Sequence, residues 1–299
     1  MKIRPRALPA GWYPTGETQT RRQIETMLAG AVDADIHVGR AANSGLRAAN
    51  SGLRPGESAC TGVVPHAGWE FSGRLACRVL RCLDPGIQSV AVVGGHMRPG
   101  EGVLAAFEEG YETPLGTVPA DLELLDCLRQ RLQIAEDRWQ DNTVEVQLPL
   151  LRHLAPHARA LGLRVAPSAE ALALGEALVA CAAQLGRKLA VIGSTDLTHY
   201  GPNYGFTPHG KGPEALAWVR EHNDRRLLDC LLALEHERAL ELARREHSAC
   251  SAGAAVAAAR FAELRGAHRG HLLEYATSQD RYPCTSFVGY AAISFPAGA

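Results

Sequence analysis

Three short apolar runs in this chain each lead to a histidine. The first run precedes His66, the second precedes His96, and the third precedes the pair Asp196 and His199. Short apolar runs of this kind predict buried strands, and open α/β sheets bind their ligands beyond the carboxyl ends of the strands. We therefore expect these four side chains to face one site.

Imidazole and carboxylate groups in one place suit two kinds of chemistry. They can hold a metal ion, with a carboxylate orienting a histidine ligand, or they can transfer protons. Asp196 and His199, three positions apart in one loop, are candidate catalytic residues. A lone histidine is more often structural than functional, so the repetition of the pattern carries the argument. At His66 the context adds to it, because Ala67 and Gly68 leave room for another group.

Cys250 adds a thiol to this set. It lies directly before the alanine-rich segment 251–264, which predicts a closely packed helix. A thiol at a helix N-terminus has a lowered pKa, because the unpaired amides and the helix dipole favour the thiolate. The alternative is a small side chain buried like an alanine, which is our interpretation of most of the other cysteines. Cys250 is the third candidate catalytic residue.

The elements that must position these residues follow from the periodicity of the chain. From residue 62, short strands alternate with helical segments of about a dozen residues, which is typical of α/β proteins. We predict an α/β fold: a single-domain sandwich with a mixed or largely parallel central sheet flanked by helices. One domain is expected to cover 1–299, with 1–60 forming an N-terminal arm, a helix and a variable loop. A tandem duplication, 41–47 and 48–54, lies in that loop.

Three local features sharpen the helix predictions. Asp121 and Ser168 are each expected to cap a helix that follows them. Segment 143–154 has helical spacing but contains Pro149. Because proline lacks an N–H and clashes with the preceding turn, we expect this helix to be kinked or broken there.

The composition excludes several classes of protein. The chain has 299 residues, 46% of them hydrophobic and 21% charged, with a formal net charge of −1. No strong field therefore draws it to nucleic acid or to an anionic membrane. No apolar run approaches the roughly 20 residues of a membrane span, and the N-terminus lacks the apolar core of a secretory signal. Eight cysteines without a CxxC pair indicate reduced thiols and a cytoplasmic protein.

Several motifs resemble, in order and spacing, those of the Memo family. They are Val64-Pro65-His66-Ala67-Gly68, Glu112-Thr113-Pro114-Leu115-Gly116, Val144-Glu145-Val146-Gln147-Leu148-Pro149, Ser194-Thr195-Asp196-Leu197-Thr198-His199-Tyr200-Gly201, and Tyr275-Ala276-Thr277-Ser278. The resemblance extends over nearly the whole chain from about residue 60. It implies a fold similar to the LigB-type, class III non-haem iron extradiol dioxygenases.

The resemblance also implies a metal site. Members of the family are linked to iron or copper through two histidines and a cysteine, which fall here on His66, His96 and Cys250, with Asp196 and His199 beside them. Zinc is a further candidate, because thiolate and imidazole ligands suit it. The loop at His96 is shorter than is typical of the family.

A second departure concerns a histidine that this chain lacks. The family usually has Glu-His-Ser before its Val-Glu-Val-Gln-Leu-Pro segment, where this chain reads Asp141-Asn142-Thr143. An acid–base imidazole is thus replaced by the amide of Asn142. Ring cleavage needs such a group, so redox or metal-handling chemistry is favoured over ring cleavage.

Three functions remain open at this point. The first is a metal-binding protein with redox or oxygen-dependent oxidoreductase activity on an unknown small molecule. The second is a metal-free hydrolase in which Cys250 attacks, His66 or His199 accepts the proton, and Asp196 orients the imidazole. The third is a non-catalytic interaction module with a vestigial dioxygenase-like pocket. The resemblance implies protein partners for it: signalling proteins in animals and radical-SAM proteins in microbes.

Overall fold

The structure, a computed structural model, describes residues 2–37 and 59–296. The tandem duplication at 41–54 lies outside the described residues. Within them, the strands are β1 (Ile3–Arg4), β2 (Ala59–Val64), β3 (Ser89–Gly94), β4 (Val103–Ala105), β5 (Gly110–Tyr111), β6 (Val118–Pro119), β7 (Ile134–Glu136), β8 (Arg159–Val165), β9 (Leu189–Ser194), β10 (His199–Tyr200), β11 (His271–Thr277) and β12 (Phe287–Pro296).

Helices fill most of the intervals between these strands. Over the same part of the chain they are α1 (Glu17–His37), α2 (Trp69–Leu80), α3 (Leu122–Arg129), α4 (Asn142–Glu145), α5 (Leu148–Leu154), α6 (Ala169–Gln184), α7 (Pro213–Trp218), α8 (Asp224–Leu232), α9 (His236–Glu246) and α10 (Ala252–Leu264). A π-helical turn, Val219–Asn223, joins α7 to α8. No helix in the ranges 2–37 and 59–296 is long and apolar enough to cross a membrane.

The central sheet is mixed, with a parallel middle. Its order is β10-β12-β2-β9-β3-β8-β4-β7, and β11 pairs with β12. Strands β2, β9, β3 and β8 run parallel to one another, whereas β12 and β4 join them antiparallel. This confirms the predicted α/β fold. A small second sheet, β1-β5-β6, fixes the beginning of the chain against the main body.

Helices cover both faces of this sheet, which explains why its strands are continuous apolar runs. Successive strand residues point to opposite faces. Ala91 and Val191 belong to a core that includes α6, α9 and α10. Val92 and Ile192, one position later, belong to a second core that includes α1, α2 and α5.

Two of the helix predictions are confirmed, and the third is confirmed for the position of the helix but not for a side-chain cap. The Asp121 side chain caps α3 by accepting a hydrogen bond from the amide of Leu124 at 3.1 Å. The helical segment around Pro149 is broken, although the break precedes the proline, which lies in the first turn of α5. A proline is tolerated there because that N–H has no helical partner. Ser168 precedes α6 without a side-chain cap, since its hydroxyl donates to Glu170 instead.

Candidate metal centre

The ends of three adjacent parallel strands form the site. His66 comes two residues after β2, Asp196 two residues after β9, and His96 two residues after β3. Strand β9 lies between β2 and β3, with Val64 beside Ser194 in the register. Cys250 approaches from the other direction, in the loop before α10, and its amide donates to the carbonyl of Asp196 at 3.3 Å.

Two imidazoles and one thiol converge at this edge. The Cys250 sulfur lies 3.2 Å from Nε2 of His66, and the rings of His66 and His96 meet edge to face with centroids 5.0 Å apart. One ligand atom from each of the three residues lies within 4.8 Å of the others. An ion bound at about 2.0–2.3 Å holds its ligands roughly 3–4 Å apart. The spacing of the three atoms exceeds that range by less than about an ångström, so the group could hold a metal ion after a small shift.

His66 is held on both sides of its ring. It is 1% exposed, and its backbone amide donates to Oδ1 of Asp196 at 2.7 Å. Its Nδ1 lies 3.2 Å from the hydroxyl of Ser194, which Gln147 also contacts while donating to the carbonyl of Pro65. With Nδ1 engaged in this way, Nε2 is the nitrogen that faces the sulfur of Cys250.

His96 is held by its backbone and by a carboxylate. Its φ of +58° is uncommon for a residue with a side chain, and its amide donates to the hydroxyl of Ser251. Gly95 before it permits this approach, because a Cβ there would lie 2.5 Å from that of Ser251. Nδ1 of His96 is 2.9 Å from Oδ2 of Asp141. Its Nε2 is thus left for a ligand.

Asp196 and His199, the predicted acid–base pair, lie at the margin of the centre. Oδ2 of Asp196 is 4.0 Å from Nε2 of His66 and 3.8 Å from Nε2 of His199. The His199 ring packs edge to face on Tyr204. The ring also lies beside the carboxylate of Asp196 and the sulfur of Cys250.

The electrostatics of the protein without metal favour a thiolate among imidazolium groups. Burial raises the pKa of Cys250, but the charge of His66 and hydrogen bonds from His199, His66 and His96 outweigh it and hold the pKa well below its usual range. Burial lowers the pKa of His96, but Asp141 and Cys250 raise it, to a net value of about 10. A thiolate is the form of cysteine that binds metals and attacks electrophiles.

A cleft of about 610 Å³ opens onto this centre. His66, His96, Asp196 and His199 line it, and so does Asn142, whose amide donates to the carbonyl of His66 at 2.9 Å. The cleft also has an aromatic rim, made of Trp12, Phe71, Tyr204, Tyr282 and Tyr290.

Sequence reasoning did not identify that aromatic rim or the residues that hold the two histidines. The rim comes from segments far apart in the sequence, so no local pattern announces it. Ser194 and Gln147 are equally inconspicuous. For Asp141 a signal existed, because it begins the tripeptide that departs from the family pattern.

Comparisons with known proteins identify relatives of one family. The family model described as "Memo-like protein" matches residues 4–294. A "MEMO1 family protein" of Thermococcus onnurineus is 32% identical over 249 residues, 78% of this chain and 86% of the relative. Relatives of the same description in Pyrococcus abyssi and Methanopyrus kandleri are 33% and 32% identical, over 78% and 79% of this chain and 85% and 83% of their own.

The chain is also similar to solved structures. One of them is that of an uncharacterized protein from Escherichia coli, which is 13% identical in sequence and superimposes with a TM-score of 0.47. The match covers 79% of this chain and 99% of that one.

Proposed function

Because the chain belongs to the Memo family, we propose that it binds a metal ion through His66, His96 and Cys250 and supports redox or oxygen-dependent oxidoreductase chemistry. The observation that carries this proposal is the convergence of two imidazoles and a thiol within 4.8 Å. Three protein ligands beside an open cleft are typical of catalytic rather than structural metal sites.

The donor set narrows the choice of metal. Imidazole suits iron, copper and zinc, and thiolate favours softer ions such as Cu(I) and zinc. We propose iron or copper, with zinc as the third candidate. A bound iron or copper ion would supply one-electron chemistry at the base of the cleft, where an unknown small molecule would bind between the aromatic side chains.

The remaining polar residues have separate tasks in this proposal. Asp196 fixes the backbone of His66 and lies between two imidazoles. His199 is the imidazole beside the cleft that can exchange a proton with a bound molecule, because it lines the cleft and holds no place in the proposed ligand set. Asn142 faces the cleft with an amide, which does not titrate. The position of Asn142 therefore lacks the acid–base imidazole that ring cleavage would use there.

Metal analysis of protein purified without oxygen tests the proposal. We expect about one equivalent of iron, copper or zinc in the wild-type protein and less than a tenth of that in His96→Ala. His209→Ala is the matched control, because that imidazole stacks on Trp218 at 4.2 Å and is not among the residues lining the cleft. A folded wild-type protein without metal, or equal metal in His96→Ala, contradicts the proposal.

The 3.2 Å contact between Cys250 and His66 favours a second candidate, the metal-free hydrolase with Cys250 as its nucleophile. Stoichiometric alkylation of Cys250 at the same rate with and without a chelator would support it over the metal centre. For the third candidate, the interaction module, the test is partner binding that survives His66→Ala and Cys250→Ala. The radical-SAM partner stays an expectation from the family resemblance, and the cytoplasmic location stays a prediction from the sequence.

A further inference from the structure

A second cavity, of about 480 Å³, lies on the sulfur side of the centre. It is lined by Cys250, whereas the cleft is lined by the two histidines. His199 and Tyr204 line both cavities, with their ring centroids 4.9 Å apart. The candidate centre therefore borders two spaces of different chemical character.

The walls of the second cavity are largely apolar. Met97, Leu197, Phe206 and Ala243 contribute side chains, and two prolines and two further alanines complete most of the surface. An apolar pocket of several hundred Å³ with a few polar groups at defined places is typical of small-molecule sites. The polar groups then decide which molecules bind.

Among those polar groups, Arg244 is the one that carries a permanent charge. No aspartate or glutamate is among the residues that line the cavity, while Arg244 and His247 are. Arg244 is exposed and makes no ion pair or hydrogen bond with any residue of the described ranges. Its neighbour Arg245, by contrast, pairs with Glu241 and Glu246.

His247 lines the same cavity. It ends α9 in the left-handed conformation, with φ +51°, and its ring lies edge to face on Phe206 with centroids 5.3 Å apart. A basic side chain at a helix C-terminus also has a structural explanation, since it offsets the helix dipole. That explanation accounts for Arg244 and Arg245 equally. It does not explain why the cavity, which Arg244 lines and Arg245 does not, has no acidic side chain among its lining residues.

We propose that this second cavity binds a small organic carboxylate, with its apolar body against Phe206 and Leu197 and its carboxylate on Arg244. A guanidinium can donate two parallel hydrogen bonds to a carboxylate, which gives both charge and direction to the contact. A molecule in this position lies beside the sulfur of Cys250. The proposal does not depend on the metal ion.

Calorimetric titration of the metal-free protein with octanoate tests this proposal, with octanamide as the uncharged analogue. We expect saturable 1:1 binding of octanoate and at least roughly tenfold weaker binding of octanamide, because a charge-assisted hydrogen bond is lost. Arg244→Met should weaken octanoate binding by a similar factor. Arg245→Met, the matched control on the same turn, should bind octanoate like the wild-type protein.

A second measurement places the ligand. Octanoate at a few times the wild-type Kd should slow alkylation of Cys250 by iodoacetamide several-fold in the wild-type protein and have a much smaller effect in Arg244→Met. The proposal is overturned by octanoate binding that Arg244→Met does not alter, by equal binding of octanamide, by no saturable binding, or by no protection of Cys250. His96→Ala separates the two proposals, since we expect it to lose metal and keep octanoate binding.

Discussion

Asp141 connects the candidate centre to the charged residues behind it. One carboxylate oxygen contacts Nδ1 of His96 at 2.9 Å and lies 3.9 Å from the guanidinium of Arg164. The other carboxylate oxygen accepts a hydrogen bond from the amide of Thr143 and so caps the N-terminus of α4. Burial raises the pKa of this carboxyl, but His96 and Thr143 lower it well below its usual range. Asp141 therefore accepts a hydrogen bond from Nδ1 of His96. This leaves Nε2 of His96 to face a ligand.

Replacing this carboxylate should weaken metal binding. In Asp141→Asn, the amide can donate to Nδ1 as well as accept from it, so the tautomer that exposes Nε2 is no longer enforced. We expect metal affinity to fall by roughly 10- to 100-fold, measured by competition with a chelator of known affinity. Asp137→Asn is the control, because Asp137 pairs with Arg164 and contacts no histidine of the centre. Unchanged affinity in Asp141→Asn would show that backbone contacts alone orient His96.

The sequence indicated some of these residues and not others, for a physical reason. His66, His96 and Asp196 follow apolar strands, and parallel strands end at one edge of a sheet, so their proximity could be anticipated. Asp141 reaches His96 only through the packing of α4 against the end of β3. That contact depends on tertiary structure, and no periodicity in the sequence encodes it.

At the scale of the elements, the alternation of strand and helix patterns in the sequence predicted the α/β sheet. It did not predict the strands at the edges of that sheet. The buried strands β3, β8 and β9 are apolar on both faces, which makes them easy to recognise. Short elements such as β5, β6 and β10 have two residues each and are stabilised by their neighbours rather than by their own pattern. The aromatic rim of the cleft combines residues of a helix (Phe71), a strand (Tyr290) and loops, and it escaped prediction because these segments are far apart in the sequence.

The position of Cys250 depends on how closely α10 packs against β9. Gly193 makes this packing possible, because a Cβ there would lie 2.5 Å from the carbonyl oxygen of Ala254 and 3.0 Å from the Cα of Ala255. Backbone atoms cannot move aside as a flexible side chain can. The helix and the strand must separate if Gly193 acquires a side chain.

Gly193→Ala should therefore destabilise the protein. We expect the free energy of unfolding to fall by roughly 1–3 kcal/mol or more, as for other overpacked cores, in urea denaturation followed by circular dichroism. Gly16→Ala is the control, because nothing lies within 4 Å of a Cβ at that position. Equal stability of the two variants would contradict the close packing of α10 on β9.

At the scale of the whole molecule, Asp224 joins three distant parts of the chain. It lies at the start of α8, is fully buried, and accepts hydrogen bonds from the amide and hydroxyl of Thr198 and from the hydroxyl of Tyr275. Burial raises its pKa, these hydrogen bonds and the charge of His199 lower it, and the net value is about 6. Folding therefore favours the neutral form of the Asp224 carboxyl group.

A raised pKa for an acid has a defined consequence for stability. The unfolded chain releases the proton of Asp224 near pH 4, whereas the folded protein retains it to about pH 6. The contribution of this group is therefore complete below pH 4 and is lost as the pH rises through 6. The difference of about two pKa units corresponds to roughly 3 kcal/mol.

Asp224→Asn should remove this pH dependence, because an amide does not titrate. Since other groups also titrate, we compare the free energies of unfolding of variant and wild type in urea between pH 4 and 7. The stability of Asp224→Asn relative to wild type should rise by up to about 3 kcal/mol over this range. Asp229 lies on an exposed face of the same helix. The free energy of unfolding of Asp229→Asn should therefore change with pH in the same way as that of the wild type. A parallel curve for Asp224→Asn would mean that Asp224 is already ionised in the folded protein at pH 4, and that its three hydrogen bonds outweigh its burial.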